Sequence, residues 1–187
     1  DGEHIGKFIH AATLSWANSG NEKLHAKVAN AVIELIKTQE ADSYLVCYMS
    51  DEQIAAADKQ QPKEGTSKPK FLKRWTNWDT WSHIDNMTGL LTWARFTGDR
   101  AALDSCCKMG DLLIKTFGDG PGQIDFNKAS TGRIVPSTML NPMIMLYRMT
   151  GEPRYRDFCQ YIVKNLESDH PFIDFVASGK GLAIYEH

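Results

Sequence analysis

Three times in this chain one helical pattern stops and another starts within the same few residues: LSWANSGNEKL, TWARFTGDRAAL and MLYRMTGEPRY. Aligned on Gly20, Gly98 and Gly151, the residue before is Ser19, Thr97 or Thr150, and the residue after is Asn21, Asp99 or Glu152. Glycine at such a place ends a helix in the left-handed conformation, which a Cβ would penalise. Asn21 and Asp99 are strong N-caps for the helix that follows, and Pro153 suits the first turn of the third. The recurring unit is therefore a helical hairpin. Its glycines stand 78 and 53 residues apart, too far and too unevenly for a tetratricopeptide-type solenoid.

The two helices of each hairpin differ in kind. The leading segments, about 3–18, 78–96 and 134–149, hold two, three and one Asp, Glu, Lys or Arg residues, whereas the trailing segments, about 22–39, 100–116 and 153–167, hold five each. In the first trailing segment Leu24, Val28, Val32, Leu35 and Ile36 share one face, away from Lys23, Lys27, Glu34 and Lys37. Trailing helices are expected to be outer and one-sided, leading helices inner and covered. That alternation is the pattern of an α/α toroid, and three hairpins are expected to form about half of an (α/α)6 barrel, a single partial all-α domain within a longer protein.

Turns inside the hairpins are short and connections between them long. Residues 40–76 include EADSYLVCYM, read as extended or irregular, and a lysine- and proline-rich surface loop at about 58–73; residues 117–132 form a second connection, and 168–187 begin a third. All long loops then fall at one rim, beside the starts of the inner helices, where binding residues tend to gather. The rim is expected to hold Glu3 and His4, then Trp78, Asp79, Trp81 and His83, then Arg133, Ser137 and Asn141, with Tyr44, Tyr48 and Asp125 from the loops. Asn141-Pro142 leaves two readings: a helix starting with Asn141 as its cap, or a helix kinked at Pro142.

Chemistry concentrates in RWTNWDTWSHID, residues 74–85. Aromatic faces offer apolar surface to a sugar ring, while Asp, Asn and His bond its hydroxyls, so Trp78, Trp81, Asp79, His83, His4 and Asn141 are the substrate-binding candidates. Trp93, deeper in the same helix, reads as core. Paired carboxylates for glycoside hydrolysis would stand about 5–10 Å apart. Glu3, Asp79, Asp85 and Asp125 are the entrants, and none shows a diagnostic spacing, so no catalytic residue is assigned. GDGPG lacks the Lys-Ser/Thr that completes a phosphate loop. Cys47 and Cys159 are single and Cys106-Cys107 are neighbours on an amphipathic segment, so no metal site is expected from this chain alone. With 187 residues, a net charge of −2 and no apolar run long enough to span a bilayer, nothing points to nucleic acid or membrane partners.

Gly2-Glu3-His4 with GKFIHAATL, IKTQEADSYL, DTWSHIDNMTGLLTWARFTGDRAALDSCCKMGDLLIKTF, STMLNPMIMLYRMTGEPRYRDFCQYIVKNL and GKGLAIYEH resemble glycoside hydrolase family 127, the β-L-arabinofuranosidase-like group of bacterial (α/α)6-barrel enzymes. The resemblance covers nearly the whole chain and implies the N-terminal half of such a barrel. It implies a retaining hydrolase with a zinc-bound cysteine thiolate as nucleophile and a glutamate as general acid, all in segments beyond this chain. Cys106-Cys107, on an outer helix, does not match that family's paired cysteines. His83 matches a histidine that faces the sugar at the start of the same inner helix. The lead-in here is richer in tryptophan than is usual in that group.

The expected function is therefore part of a glycoside hydrolase domain acting on plant-type or other polysaccharide-derived glycosides. Its partners are a carbohydrate and the remaining half of the barrel; its cofactor is none in this chain, with zinc in the full-length parent. The rivals are a non-catalytic α-hairpin scaffold binding carbohydrate or protein, and an unsaturated-uronide hydrolase on the same fold, for which Arg133 is the basic residue.

Overall fold

The computed structural model describes residues 2–46, 52, 55–56, 74–75, 79–125 and 138–169. Among them lie α1 (Glu3–Ser19), α2 (Glu22–Lys37), α3 (Asp79–Thr97), α4 (Arg100–Thr116), α5 (Leu140–Thr150) and α6 (Pro153–Asp169). The pairs α1/α2, α3/α4 and α5/α6 are the three expected hairpins. Trp78, Tyr48, Arg133, Ser137, Cys47 and the loop at 58–73 lie outside the described residues.

One hydroxyl explains why the junction sequence repeats. Ser19, Thr97 and Thr150 each donate to the carbonyl four residues back, on Ser15, Trp93 and Leu146, at 2.7–2.8 Å. Each also accepts the N–H two residues on, from Asn21, Asp99 and Glu152, at 3.2–3.4 Å. The side chain thus brackets the glycine, whose φ is +66°, +76° or +72°. Asn21 and Asp99 then cap α2 and α4, each accepting two backbone N–H groups. Such a cap is worth about 1 kcal/mol. Asp99 also accepts Trp93 Nε1–H at 2.9 Å, which ties the second turn to the core. The third inner helix, α5, begins at Leu140, so Asn141 is not its cap and Pro142 does not kink it. Pro142 lies in the first turn, where its missing N–H would have had no helical partner.

The central helix is α3. Thr80, Ser82, His83, Ile84, Asn86, Met87, Leu90, Leu91, Thr92, Trp93 and Ala94 are all buried, while Trp81, Asp85 and Thr88 form a half-buried stripe. It runs parallel to α1, as paired contacts advancing together along both helices show: Ser82 donates to Glu3, Lys7 pairs with Asp85, and His10 Nδ1 lies 2.8 Å from Thr92 Oγ1. Between them Gly6 and Gly89 let the backbones touch. A Cβ on Gly6 would stand 2.3 Å from the Asp85 carbonyl oxygen, and one on Gly89 2.5 Å from the Gly6 carbonyl oxygen. The outer flanks of the inner helices stay open, with Phe8, Leu14 and Ile144 exposed.

The start of the first long connection also docks on α3. Tyr44 and Leu45 are buried, and the Leu45 carbonyl accepts from Asn86 Nδ2 at 3.1 Å. Arg74 lies over the Tyr44 ring at 3.7 Å and pairs with Asp42 and Glu40. Tyr44, placed at the binding rim by sequence, is therefore a core residue: the Arg74 clamp holds its ring beneath the loop.

Candidate functional site

Trp81, Ile84, Asp85 and Thr88 recur at helical spacing and make one face of α3. Across from them stand Thr138, Leu140, Asn141 and Ile144, at and just before the start of α5. Together they line a groove of about 560 Å³ between the two inner helices. Its composition is that of a small-molecule site: apolar walls with a few polar groups facing in. Trp81 and Asn141, two residues singled out by sequence, meet here from opposite walls.

Charge enters the groove from α1. Lys7 Nζ lies 3.5 Å from Asp85 Oδ2 and 5.8 Å from the centre of the Trp81 ring. Burial pushes the Asp85 carboxyl above its ordinary range; Lys7 partly offsets this, Glu3 adds to it, and a hydrogen bond from Trp81 offsets it further. Burial also opposes ionisation of Glu3, but its backbone N–H, His4, Lys7 and the Ser82 hydroxyl together hold that carboxyl below the usual range. Glu3, Lys7, Trp81, Ser82 and Asp85 thus form one polar cluster at the start of the two parallel helices. Of these only Trp81 was among the substrate-binding candidates read from the sequence; Glu3 and Asp85 entered only as candidate carboxylates. The signal was available: Trp81 and Asp85 are four apart in a helix.

His83 stands elsewhere. Two residues from Trp81, it lies on the opposite face of α3, wholly buried, with ring centroids of Tyr44 and Trp75 at 5.7 and 5.8 Å. Burial lowers its pKa to about 3; the Met109 carbonyl partly offsets this without reaching hydrogen-bond geometry, and Arg74 adds to the fall. Grouping His83 with Trp81 in one wall is corrected accordingly: the two share a level along the helix but not a face. His4 is largely exposed beside Glu3, 3.8 Å away. Asp79 opens α3. Asp125 follows the short bridge between Phe117 and Ile124.

The zinc-bound thiolate implied by the resemblance does not fit the thiols described here. Cys106 is wholly buried, donates to the Met87 carbonyl at 3.7 Å, and is pushed well up by burial. Burial likewise raises Cys107, and raises Cys159 to about 11. No group of three His, Cys, Asp or Glu side chains among the described residues could hold a metal ion. A second cleft, about 340 Å³ between α5 and α6, is lined by Leu140, Ile144, Tyr147, Cys159 and Val163 with Arg156, Gln160 and Lys164 at its edge. It lacks facing polar groups on inner helices, and it is the open flank of the third hairpin.

Paired inner and outer helices with a groove between the starts of the inner ones define the class: a partial (α/α)6 barrel from a glycoside hydrolase catalytic domain. Residues 1–174 match the GH127 catalytic domain of β-L-arabinofuranosidases, and the chain belongs to that family. Ara127N-Se, a GH127 β-L-arabinofuranosidase from Geobacillus stearothermophilus T6, has a crystal structure that matches with a TM-score of 0.61 and 19 % identity, over 97 % of this chain and 26 % of that one. BT3674, a GH127 β-arabinofuranosidase, matches with a TM-score of 0.58 and 19 % identity, over 84 % of this chain and 23 % of that one. The chain thus spans about a quarter of the length of these structures, and at that identity the likeness is one of fold. No curated relative matches the sequence.

Proposed function

We propose that this chain is the N-terminal portion of a glycoside hydrolase barrel and supplies one wall of its sugar-binding cleft. The substrate is a glycoside derived from plant-type or other polysaccharides, with an arabinofuranoside favoured by family membership. The carrying observation is the groove that brings Trp81 and Asn141 together at the starts of two inner helices, with Asp85 also in its lining. Trp81 gives the ring a flat apolar face, and Asn141 offers both a donor and an acceptor to hydroxyls. The bond-cleaving groups, and zinc where bound, belong to the remaining part of the barrel, which packs on the open flanks of α1 and α5. His83 supports the wall from behind by filling the space among Tyr44, Trp75 and α4.

The test is turnover of aryl glycosides by the full-length protein, beginning with aryl β-L-arabinofuranosides. Hydrolysis is expected, with KM raised about 10-fold in Trp81→Ala and Asn141→Ala, the equivalent of about 1.4 kcal/mol of binding. Saturable sugar binding without hydrolysis would overturn the enzyme reading in favour of a non-catalytic scaffold. Turnover with KM unchanged in both variants would remove the groove from the substrate path.

A further inference from the structure

We propose that Asp85 is the specificity-determining residue of the groove, accepting hydroxyl hydrogens of a neutral sugar, and that Lys7 is its positioning residue. The inference rests on the cleft reading above and names which group in the cleft selects the ligand. Four observations carry it. Asp85 is the one charged residue among the described residues lining the groove. Its side chain is 22 % exposed with Oδ2 enclosed, and it stands in the groove wall. Lys7 reaches it from a different helix, its Nζ 3.5 Å from Oδ2. The Gly6–Gly89 backbone contact fixes how far apart those two helices stand, so the pair is set by the rigid part of the fold.

The chemistry follows from these positions. A carboxylate held at the groove wall is an acceptor only, and sugar hydroxyls are the neutral donors that match it. Asn141 faces it from α5 with both hydrogen-bonding senses, and Trp81 lies on the same α3 face as a platform. Lys7 is already engaged by Asp85, so the described groove has no spare cation for a carboxylate-bearing sugar. Such a ligand would meet Asp85 as a like charge. Asp85 therefore favours neutral glycosides and disfavours uronates. The groups that set its charge are Lys7 and Glu3 on α1 and Trp81 on its own helix; α5 faces it with the uncharged Leu140, Asn141 and Ile144. Burial raises the Asp85 carboxyl and Lys7 opposes that rise, so loss of Lys7 raises it further.

The experiment uses the full-length protein, an aryl β-L-arabinofuranoside as substrate, and free L-arabinose and galacturonate as competitors, across pH. Asp85→Asn is expected to weaken L-arabinose inhibition by about 10- to 100-fold, the worth of a hydrogen bond to a charged group, and to raise galacturonate affinity relative to arabinose. Affinity for the neutral sugar falls as pH falls through the Asp85 pKa. Lys7→Met is therefore expected to move that acid limb to higher pH, and Lys7→Arg to restore it. The Lys7 arm leaves Asp85 in place, so it decides the matter even where Asp85→Asn fails to fold. Wild-type binding of arabinose with Asp85→Asn unchanged would overturn this inference and leave the cleft reading standing. An acid limb unmoved by Lys7→Met would overturn the positioning role. Neither binding nor turnover of neutral glycosides by the wild type would overturn both readings together.

Discussion

Substituting Gly6 by alanine tests the packing on which the groove depends. The added Cβ would stand 2.3, 2.4 and 2.5 Å from the carbonyl oxygen and carbon of Asp85 and the nitrogen of Asn86. All three are backbone atoms in the middle of α3, with no rotamer to turn. To reach an ordinary contact of 3.4 Å, α1 and α3 must part by about 1 Å, stretching the Glu3–Ser82, Lys7–Asp85 and His10–Thr92 contacts together. Overpacking of this kind costs up to about 3 kcal/mol, and alanine's better helix propensity returns up to about 1 kcal/mol. A net loss of about 2 kcal/mol follows, lowering the thermal midpoint by about 4–8 °C in a domain of this size. Gly110→Ala is the matched control. Its Cβ meets the side-chain methyls of Leu146 and Met143 and a ring carbon of Tyr155, which can shift, so its cost should be smaller. Equilibrium urea unfolding and the thermal midpoint of both variants supply the readout. A Gly6→Ala protein as stable as wild type, or more stable than Gly110→Ala, would refute the close helix contact.

Three further outcomes are expected. Asp99→Ala loses a cap and the Trp93 Nε1 bond together, so it should destabilise by about 1–2 kcal/mol, more than Asn21→Ala, which loses only the cap, in denaturant titrations. His83 has a folded pKa of about 3, below its unfolded value near 6.5. Its neutral, buried ring therefore favours the fold fully above pH 6.5, and that contribution is lost as pH falls from about 6.5 towards about 3. His83→Met should flatten that part of the stability–pH curve by a few kcal/mol, and an unchanged slope would place the ring in contact with water. Arg74→Met removes the clamp over Tyr44 and its pairs with Asp42 and Glu40, and should destabilise by about 1–3 kcal/mol, with faster amide exchange at Ser43 and Tyr44.

How far the sequence could be read depended on whether the deciding physics was local. The Ser/Thr-Gly junctions announce the hairpins because hydroxyl, glycine and cap act within six residues of one another. The buried character of α3 was legible from its lack of a polar face, and the family from whole segments. That Trp81 and Asn141 lie close together was legible because topology sets the starts of the inner helices at one level. Level alone does not decide facing: His83 shares the level of Trp81 but lies across the helix, in the core with Tyr44. Arg74 packs on Tyr44 from 30 residues further along the chain, and no local pattern signals it. Nothing in the sequence marks Gly6 and Gly89, because their use appears only when two parallel helices are placed together. Asp85 gains its environment from Lys7 and Glu3 on another helix, so its sequence neighbours understated it.

The most direct measurement of the central claim is a crystal structure of the full-length protein soaked with L-arabinose. The account predicts the sugar in the groove between α3 and α5, its ring within van der Waals reach of Trp81 and its hydroxyls hydrogen-bonded to Asp85 and Asn141. A sugar bound elsewhere in the barrel, with this groove filled by protein from another segment, would contradict it.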